Sequence, residues 1–137
     1  MRWLIDANIL LDVLQNREPH VVHSSIIWKF CETGQAEGYV SALTVAHLVC
    51  VMRRELTPAQ VEQVLTTLGL IFRVADVTAS DLAAAAKLRW NDFEDALQSV
   101  TARRLRADRI ITWDVRNFRE SDVPAVTPAD WFSQQEA

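Results

Sequence analysis

A short apolar run that ends in an acidic residue most limits how this chain can fold. Trp3, Leu4 and Ile5 form an apolar run without alternation, and Asp6 follows it directly, so we interpret residues 2–6 as a buried strand. Strands of this kind are buried on both faces, as in parallel sheets that carry helices on each side. A second strand-like segment at residues 109–112 contains Ile110 and Ile111, and an acidic residue, Asp114, follows it after Trp113. The two runs favour an α/β fold.

Strand-like and helix-like segments alternate along the rest of the chain. The alternation predicts an α/β three-layer sandwich with a central, mostly parallel sheet. With 137 residues, no repeat and no linker, we expect one domain over residues 1–137. We predict strands at residues 2–6, 39–41, 70–75, 109–112 and 125–126, helices at 8–15, 19–33, 43–54, 57–69, 78–90 and 91–106, and a last helical turn at 127–130.

The composition excludes several classes of protein. Half of the residues are hydrophobic and 23% are charged, which is ordinary for a globular domain. No apolar run reaches the roughly 18 residues of a membrane span, and the first residues lead into a strand rather than a signal peptide. Cys31 and Cys50 lie in apolar helical patterns, which favours small core residues in a reducing compartment over a disulfide. We therefore expect a cytoplasmic protein without a membrane partner.

The distribution of charge leaves nucleic-acid binding open. The net charge is −4, but net charge says little where the two signs are segregated along a chain. They are segregated here, because six arginines fall between residues 103 and 119. These are Arg103, Arg104, Arg106, Arg109, Arg116 and Arg119.

Several carboxylates are expected to meet at one edge of the sheet. Asp6 and Asp114 each follow a buried strand, and ligands of parallel sheets bind beyond the carboxyl ends of the strands. Asp92, Asp95 and Ser99 share a face of the helix at 91–106. Each acid alone also has a structural explanation, as a cap, turn or helix-start residue. Together they would repel one another unless a cation lay among them, and oxygen ligands select Mg²⁺ or Mn²⁺. Such an ion can promote attack of water on a phosphodiester.

Five stretches spanning nearly the whole chain carry a resemblance to a known family. They are LIDANILLD, YVSALTVAHL, DFEDALQSVTA, DRIITWDVRNF and VPAVTPADWF. In this order they resemble the PIN-domain family, in particular its bacterial, VapC-like branch of toxins from toxin–antitoxin pairs. The resemblance implies an endoribonuclease that depends on Mg²⁺ or Mn²⁺ and acts on RNA. It also implies a cognate antitoxin protein and a homodimer.

The resemblance assigns the acidic residues of the site. Asp6, Asp95 and Asp114 match the metal-binding acids of the family. Asp92 is a frequent companion of the acid at Asp95. We therefore expect all four to be catalytic, with Asp92 as an outer or additional ligand.

Further polar residues are expected to position these acids or contact the substrate. Asn8 and Thr112 match polar residues that orient the carboxylates. Ser41 lies in the stretch YVSALTVAHL, in the segment that runs to His47. Arg103 extends the face of Asp92 and Asp95, where a guanidinium can bind a flanking phosphate, although a solvated helix-end cation explains it equally well.

One position departs from the family pattern. Many members have a glutamate where this chain has His47. The imidazole can face the core, ligate Mn²⁺, carry a proton or donate to a phosphate oxygen. We expect three carboxylates, supported by Asp92, to suffice for one ion. We assign Asp12 a structural role, and a base could stack on Trp113.

Two other functions remain open on the sequence. A PIN-like module of low catalytic activity that binds RNA or protein is compatible with His47. A phosphatase with Asp6 as its nucleophile fits less well, because such sites usually have a second aspartate two residues later, where this chain has Asn8.

Overall fold

The computed structural model describes residues 1–136 and contains strands and helices in alternation. The strands are β1 (Arg2–Ile5), β2 (Glu37–Ser41), β3 (Arg73–Ala75), β4 (Arg109–Ile111) and β5 (Ala125–Val126). The helices are α1 (Ala7–Leu14), α2 (Val21–Glu32), α3 (Ala42–Val51), α4 (Pro58–Ile71), α5 (Ala79–Leu88), α6 (Phe93–Arg104) and α7 (Pro128–Glu136). A 3₁₀ turn covers Val115–Phe118.

The five strands form one parallel sheet in the order β3-β2-β1-β4-β5. In this sheet β1 is central, with Leu4 opposite Tyr39 of β2 and Ile110 of β4. Because all strands run the same way, their carboxyl ends meet at one edge. The predicted three-layer α/β fold is confirmed.

Burial of β1 on both faces explains its continuous apolar sequence. Trp3 and Ile5 belong to the core formed with α1, α2 and α7, and the Trp3 ring lies edge-on to Trp131 at a centroid distance of 5.0 Å. Leu4 faces the opposite core, where it packs with Phe118 and with α6. All three side chains of the run are at most 1% exposed. The strand therefore reaches the polar edge of the sheet only at its end.

The end of α4 differs from the prediction. Gly69 was expected to end this helix, but the helix continues to Ile71, and the backbone N–H of Phe72 still donates to Leu68 at 2.7 Å. Gly69 does not adopt the left-handed conformation that makes glycine a helix terminator. As a result β3 begins at Arg73 rather than at residue 70. The predicted capping box at Thr57 is present.

Other boundaries shift by a few residues. β2 begins at Glu37 rather than residue 39, because Glu37 pairs with Arg2 of β1. Asp6 is the N-cap of α1 rather than the last residue of the strand. The segment after Thr127 is a full helix rather than a single turn.

The two cysteines lie in different surroundings. Cys31 is buried in the core, as predicted, and both cysteines are free thiols. Cys50 is exposed, so its assignment to the core is wrong. It lies on the same outer face of α3 as Ala46 and His47, one turn earlier, which are also exposed. In the described part of the chain, no helix has both the length and the apolar character needed to cross a bilayer.

Two glycines give opposite expectations for alanine substitution. A Cβ at Gly38 in β2 would lie 2.6 Å from the Cys31 Sγ and 2.8 Å from the Phe72 Cδ1, whereas one at Gly69 meets nothing within 4 Å. We expect Gly38→Ala to lower the free energy of unfolding by about 1–3 kcal/mol through overpacking. Gly69→Ala should raise it by about 0.5–1 kcal/mol, because alanine favours helix. Urea denaturation measures the free energy of unfolding of both variants. Equal values for Gly38→Ala and Gly69→Ala would contradict the close packing at Gly38.

Candidate active site

Asp6 is fixed at the junction of β1 and α1. Its Oδ1 accepts a hydrogen bond from the backbone N–H of Ala7 at 2.8 Å, and its Oδ2 accepts one from the Thr112 hydroxyl at 2.8 Å. Burial raises the pKa of the Asp6 carboxyl, the two hydrogen bonds oppose that rise, and the charge of Asp114 adds to it. The carboxylate is thus oriented by two donors and partly deprived of water.

Thr112 and Asn8 connect the acid after β1 with the acid after β4. The buried Thr112 Oγ1 accepts a hydrogen bond from the Asp114 backbone N–H at 3.0 Å while it donates to Asp6. The Asn8 amide donates to Asp114 Oδ2 at 3.2 Å and to Thr112 Oγ1 at 3.4 Å. Both residues lie where the sequence predicts positioning residues.

Asp95 is the most perturbed carboxylate of the site. Asp92 caps α6 by accepting a hydrogen bond from the Asp95 backbone N–H at 3.1 Å. Burial raises the pKa of the Asp95 carboxyl to about 7, and the nearby charge of Asp92 is the next largest cause. The charges of Asp6 and Asp114 also raise it, whereas a hydrogen bond with Asn117 lowers it. The three other predicted acids therefore lie near enough to Asp95 for their charges to disfavour its ionised form.

The chemistry of these side chains fits a hard divalent ion. The Asn8 Oδ1 and the Asp95 Oδ2 are buried and have no hydrogen-bond partner. Buried polar atoms are nearly always paired, so two unpaired oxygens beside mutually repelling carboxylates match the ligands of Mg²⁺ or Mn²⁺. Within residues 1–136, however, no three acidic, histidine or cysteine side chains lie close enough to hold an ion together. The candidate ligands therefore lie near one another but are not arranged around a common point.

His47 faces a small cavity rather than the core. The cavity has a volume of about 80 Å³, and Asp6, His47, Glu94 and Asp95 are among its lining residues. The His47 side chain is 46% exposed, and its Nδ1 lies 4.0 Å from the Glu94 Oε2. The core-facing alternative for His47 is therefore wrong. Sequence reasoning missed Glu94, although its place in the first turn of α6 beside Asp95 was a usable signal.

A larger cavity of about 400 Å³ adjoins the first, and Asp95 lines both. The arginines in its wall are Arg89, Arg116 and Arg119, none of which was assigned to the site from the sequence. The residues around it are Arg89, Trp90, Asn91, Asp92, Asp95, Arg116, Asn117, Arg119 and Glu120.

Two residues predicted to serve the site have other contacts. The Arg103 guanidinium pairs with Asp122 at 3.2 Å, because the chain after the 3₁₀ turn covers this part of α6. The same segment also contacts α6 through a hydrogen bond of 2.7 Å between the Ser99 and Ser121 hydroxyls. Ser41 is buried and caps α3, accepting a hydrogen bond from the backbone N–H of Thr44 at 3.0 Å.

Asp12 supports the loop that carries Asp114. It is buried, and its Oδ2 accepts hydrogen bonds from the Ser24 hydroxyl at 2.7 Å and from the Trp113 indole N–H at 2.8 Å. These bonds agree with the structural role predicted for Asp12. The His20 ring stacks on Trp113 at a centroid distance of 4.0 Å, so one face of Trp113 is already covered.

Comparison with known proteins identifies the family of this fold. A sequence model of the PIN domain matches residues 2–116, which is most of the chain. The chain belongs to the PIN domain family. A comparison with curated proteins finds no match.

Several solved structures share this fold, and one of them is a toxin–antitoxin complex. The FitAB complex bound to a DNA fragment gives a TM-score of 0.73 at 20% identity, with 92% of this chain and 94% of that chain covered. VapBC2 from Rickettsia felis, also bound to a DNA fragment, gives 0.68 at 15% identity over 93% and 98%. A toxin–antitoxin complex from Klebsiella pneumoniae gives 0.71 at 20% identity over 91% and 96%. At these identities the likeness is one of fold.

The raised pKa of Asp95 predicts a pH-dependent stability of the metal-free protein. Because the folded state holds the proton of Asp95 more tightly than the unfolded state does, this group lowers stability as the pH rises from about 4 to about 7. In EDTA, we expect Asp95→Asn to stabilise the protein more at about pH 8 than at about pH 5. Urea denaturation at both pH values measures the difference.

The matched control for this measurement is Asp130→Asn, since Asp130 is an exposed acid in the first turn of α7. Its effect on stability should be the same at both pH values. A pH-independent effect of Asp95→Asn would contradict the perturbed pKa.

Proposed function

We propose that the protein is a divalent-metal-dependent endoribonuclease and the toxin of a toxin–antitoxin pair. The observation that carries the proposal is Asp95, which has a buried unpaired oxygen and a pKa raised to about 7 beside three other carboxylates. A PIN-domain chain with this cluster at the carboxyl edge of its sheet has the ligands that hydrolysis of a phosphodiester requires.

The residues of the cluster have different proposed roles. Asp6, Asp95 and Asp114 hold the ion, and Asp92 stabilises the turn of α6 that presents Asp95. A bound Mg²⁺ or Mn²⁺ supplies activation of water and neutralisation of charge on the phosphodiester. Thr112 keeps Asp6 oriented through the hydrogen bond to its Oδ2.

His47 occupies the position at which many family members carry a glutamate. His47 lies across from Glu94, and both line the cavity that contains Asp6 and Asp95. Three carboxylates are sufficient for one ion in our proposal, so His47 is not required as a ligand. Its imidazole is within reach of Glu94 and is available to donate to a bound phosphate.

The proposed partners rest on the shared fold. The similar structures include a toxin–antitoxin complex from Klebsiella pneumoniae, and FitAB and VapBC2, each bound to a DNA fragment. We propose that this chain likewise binds a cognate antitoxin, forms a homodimer and acts on RNA in the cytoplasm. The free thiols of Cys31 and Cys50 are compatible with a reducing compartment.

One observation favours a second candidate function, which is binding of RNA or protein with little catalysis. Since no three potential ligands in residues 1–136 are preassembled, and His47 replaces the usual glutamate, the domain could bind RNA or protein with little catalysis. Cleavage assays with and without Mn²⁺ separate this candidate from the nuclease.

The test of the nuclease uses single amide substitutions. Asp6→Asn and Asp95→Asn remove a negative charge and keep the side-chain shape. We expect each to lower Mn²⁺-stimulated RNA cleavage by more than about 100-fold, since loss of outer-shell partners alone costs roughly 10–100-fold. Thermal unfolding should show that both variants remain folded at the assay temperature.

Asp130→Asn again serves as the matched control and should cleave like the wild type, because Asp130 is exposed on α7. If Asp6→Asn and Asp95→Asn both cleave RNA at the wild-type rate, these residues do not form the nuclease site. RNA binding by a wild type that never cleaves would favour the second candidate instead.

A further inference from the structure

Glu94 is a second acidic residue that α6 places at the small cavity. Glu94 and Gln98 lie one helical turn apart and share a face of α6, and Asp95 lies on the same side of the helix. All three line the cavity, together with Asp6 from the junction of β1 and α1. The fold thus brings three carboxylates from two separate segments to one small space.

The contacts of Glu94 leave its carboxylate able to move. Its side chain is 60% exposed, and its ion-pair contact within residues 1–136 is with His47, whose Nδ1 lies 4.0 Å from the Glu94 Oε2. That distance is too long for a hydrogen bond, and exposed pairs of this kind contribute little to stability. Glu94 can therefore exchange the imidazole for another cation without any change in the core.

The size of the cavity limits its ligand to an ion and water. A space of about 80 Å³ holds a few water molecules, whereas small-molecule sites run from about 300 to 1,000 Å³. Carboxylates around so small a space repel one another unless a cation lies among them. An independent observation points the same way, because the Asp95 Oδ2 is buried and has no hydrogen-bond partner.

Gln98 connects this face of α6 with Asp6. The Gln98 side chain is buried, with 6% of its surface exposed. Burial raises the pKa of the Asp6 carboxyl, and the hydrogen bond with Gln98 opposes that rise. An ion between Asp6 and Asp95 would therefore lie on the cavity side of α6, which is the side that Glu94 also lines.

An incomplete set of ligands gives a further carboxylate a purpose. Within residues 1–136, no three potential ligands are arranged to hold an ion together. Mg²⁺ gives up its water reluctantly, so carboxylates in its sites often act through water that stays on the ion. Loss of such outer partners typically lowers metal affinity by about 10–100-fold. A mobile carboxylate on a long side chain suits this role.

We propose that Glu94 is a fourth carboxylate of the divalent-metal site, which exchanges its contact with His47 for hydrogen bonds from water on the bound ion. The inference rests on the proposed function, which places the ion among three aspartates. His47 is then the partner of Glu94 in the metal-free protein and not a ligand.

Binding of Mn²⁺ to the metal-free protein tests this role without any cleavage. Electron paramagnetic resonance follows the free ion at fixed pH and ionic strength, and Asp95→Asn provides the reference for loss of the site. We expect Glu94→Gln to bind Mn²⁺ about tenfold or more weakly than the wild type, as for other outer partners of metal sites. His47→Gln should change the affinity by less than about threefold, because the exposed pair contributes little.

Two further variants separate the position of the carboxylate from its charge. Glu62→Gln removes the same charge from an exposed residue of α4 outside both cavities and should bind Mn²⁺ like the wild type. His47→Glu/Glu94→Gln moves the carboxylate from α6 to α3, on the same cavity, and should restore the affinity to within about threefold of the wild type. Thermal unfolding in EDTA verifies that all variants are folded.

The outcomes distinguish this inference from the proposed function. Unchanged affinity in Glu94→Gln, an equal loss in His47→Gln or Glu62→Gln, or no recovery in the double variant would each overturn the role of Glu94. If Asp95→Asn lowers the affinity and Glu94→Gln does not, only that role fails. If neither lowers it, the proposed metal site fails as well. A protein that binds Mn²⁺ as expected but never cleaves RNA contradicts only the proposed nuclease activity.

Discussion

The parallel pairing of β1 with β4 is the constraint on which the site depends. It brings Asp6 and Thr112, which are 106 positions apart in sequence, within a hydrogen bond of 2.8 Å. The pairing is enforced by burial, because Leu4 and Ile110 lie opposite each other and are fully buried. Apolar contacts on both faces of the sheet therefore fix the register, and the register fixes which polar groups meet at its carboxyl edge.

Repulsion among the carboxylates is the cost of this arrangement. Burial and neighbouring negative charges raise the pKa of Asp95, and two buried oxygens remain without a donor. Native structures keep such unfavourable features mainly where function requires them. Asp12 and its hydrogen bonds to Ser24 and Trp113 supply part of the rigidity that holds the loop of Asp114 in place.

The fold and the acids of the site were more predictable than the polar groups around them. Continuous apolar runs predict buried parallel strands, and strand-end acids then share an edge. Neither the place of Arg116 and Arg119 at the larger cavity nor the pairing of Arg103 with Asp122 could be foreseen, because both depend on how the 3₁₀ turn and the chain after it pack on α6. The place of Glu94 at the cavity was missed because the adjacent Asp95 already explained the acidic start of α6. Gly69 was taken for a helix terminator, but α4 continues through it.

Asp6, Asp95 and Asp114 are the three residues that we propose to form a divalent-metal site. Crystals of the protein soaked in Mn²⁺ and measured near the manganese absorption edge test it most directly. We expect an anomalous difference peak in contact with carboxylate oxygens of these three residues, with a weaker peak or none in crystals of Asp95→Asn. Well-occupied manganese elsewhere, with no peak among these carboxylates, would contradict it.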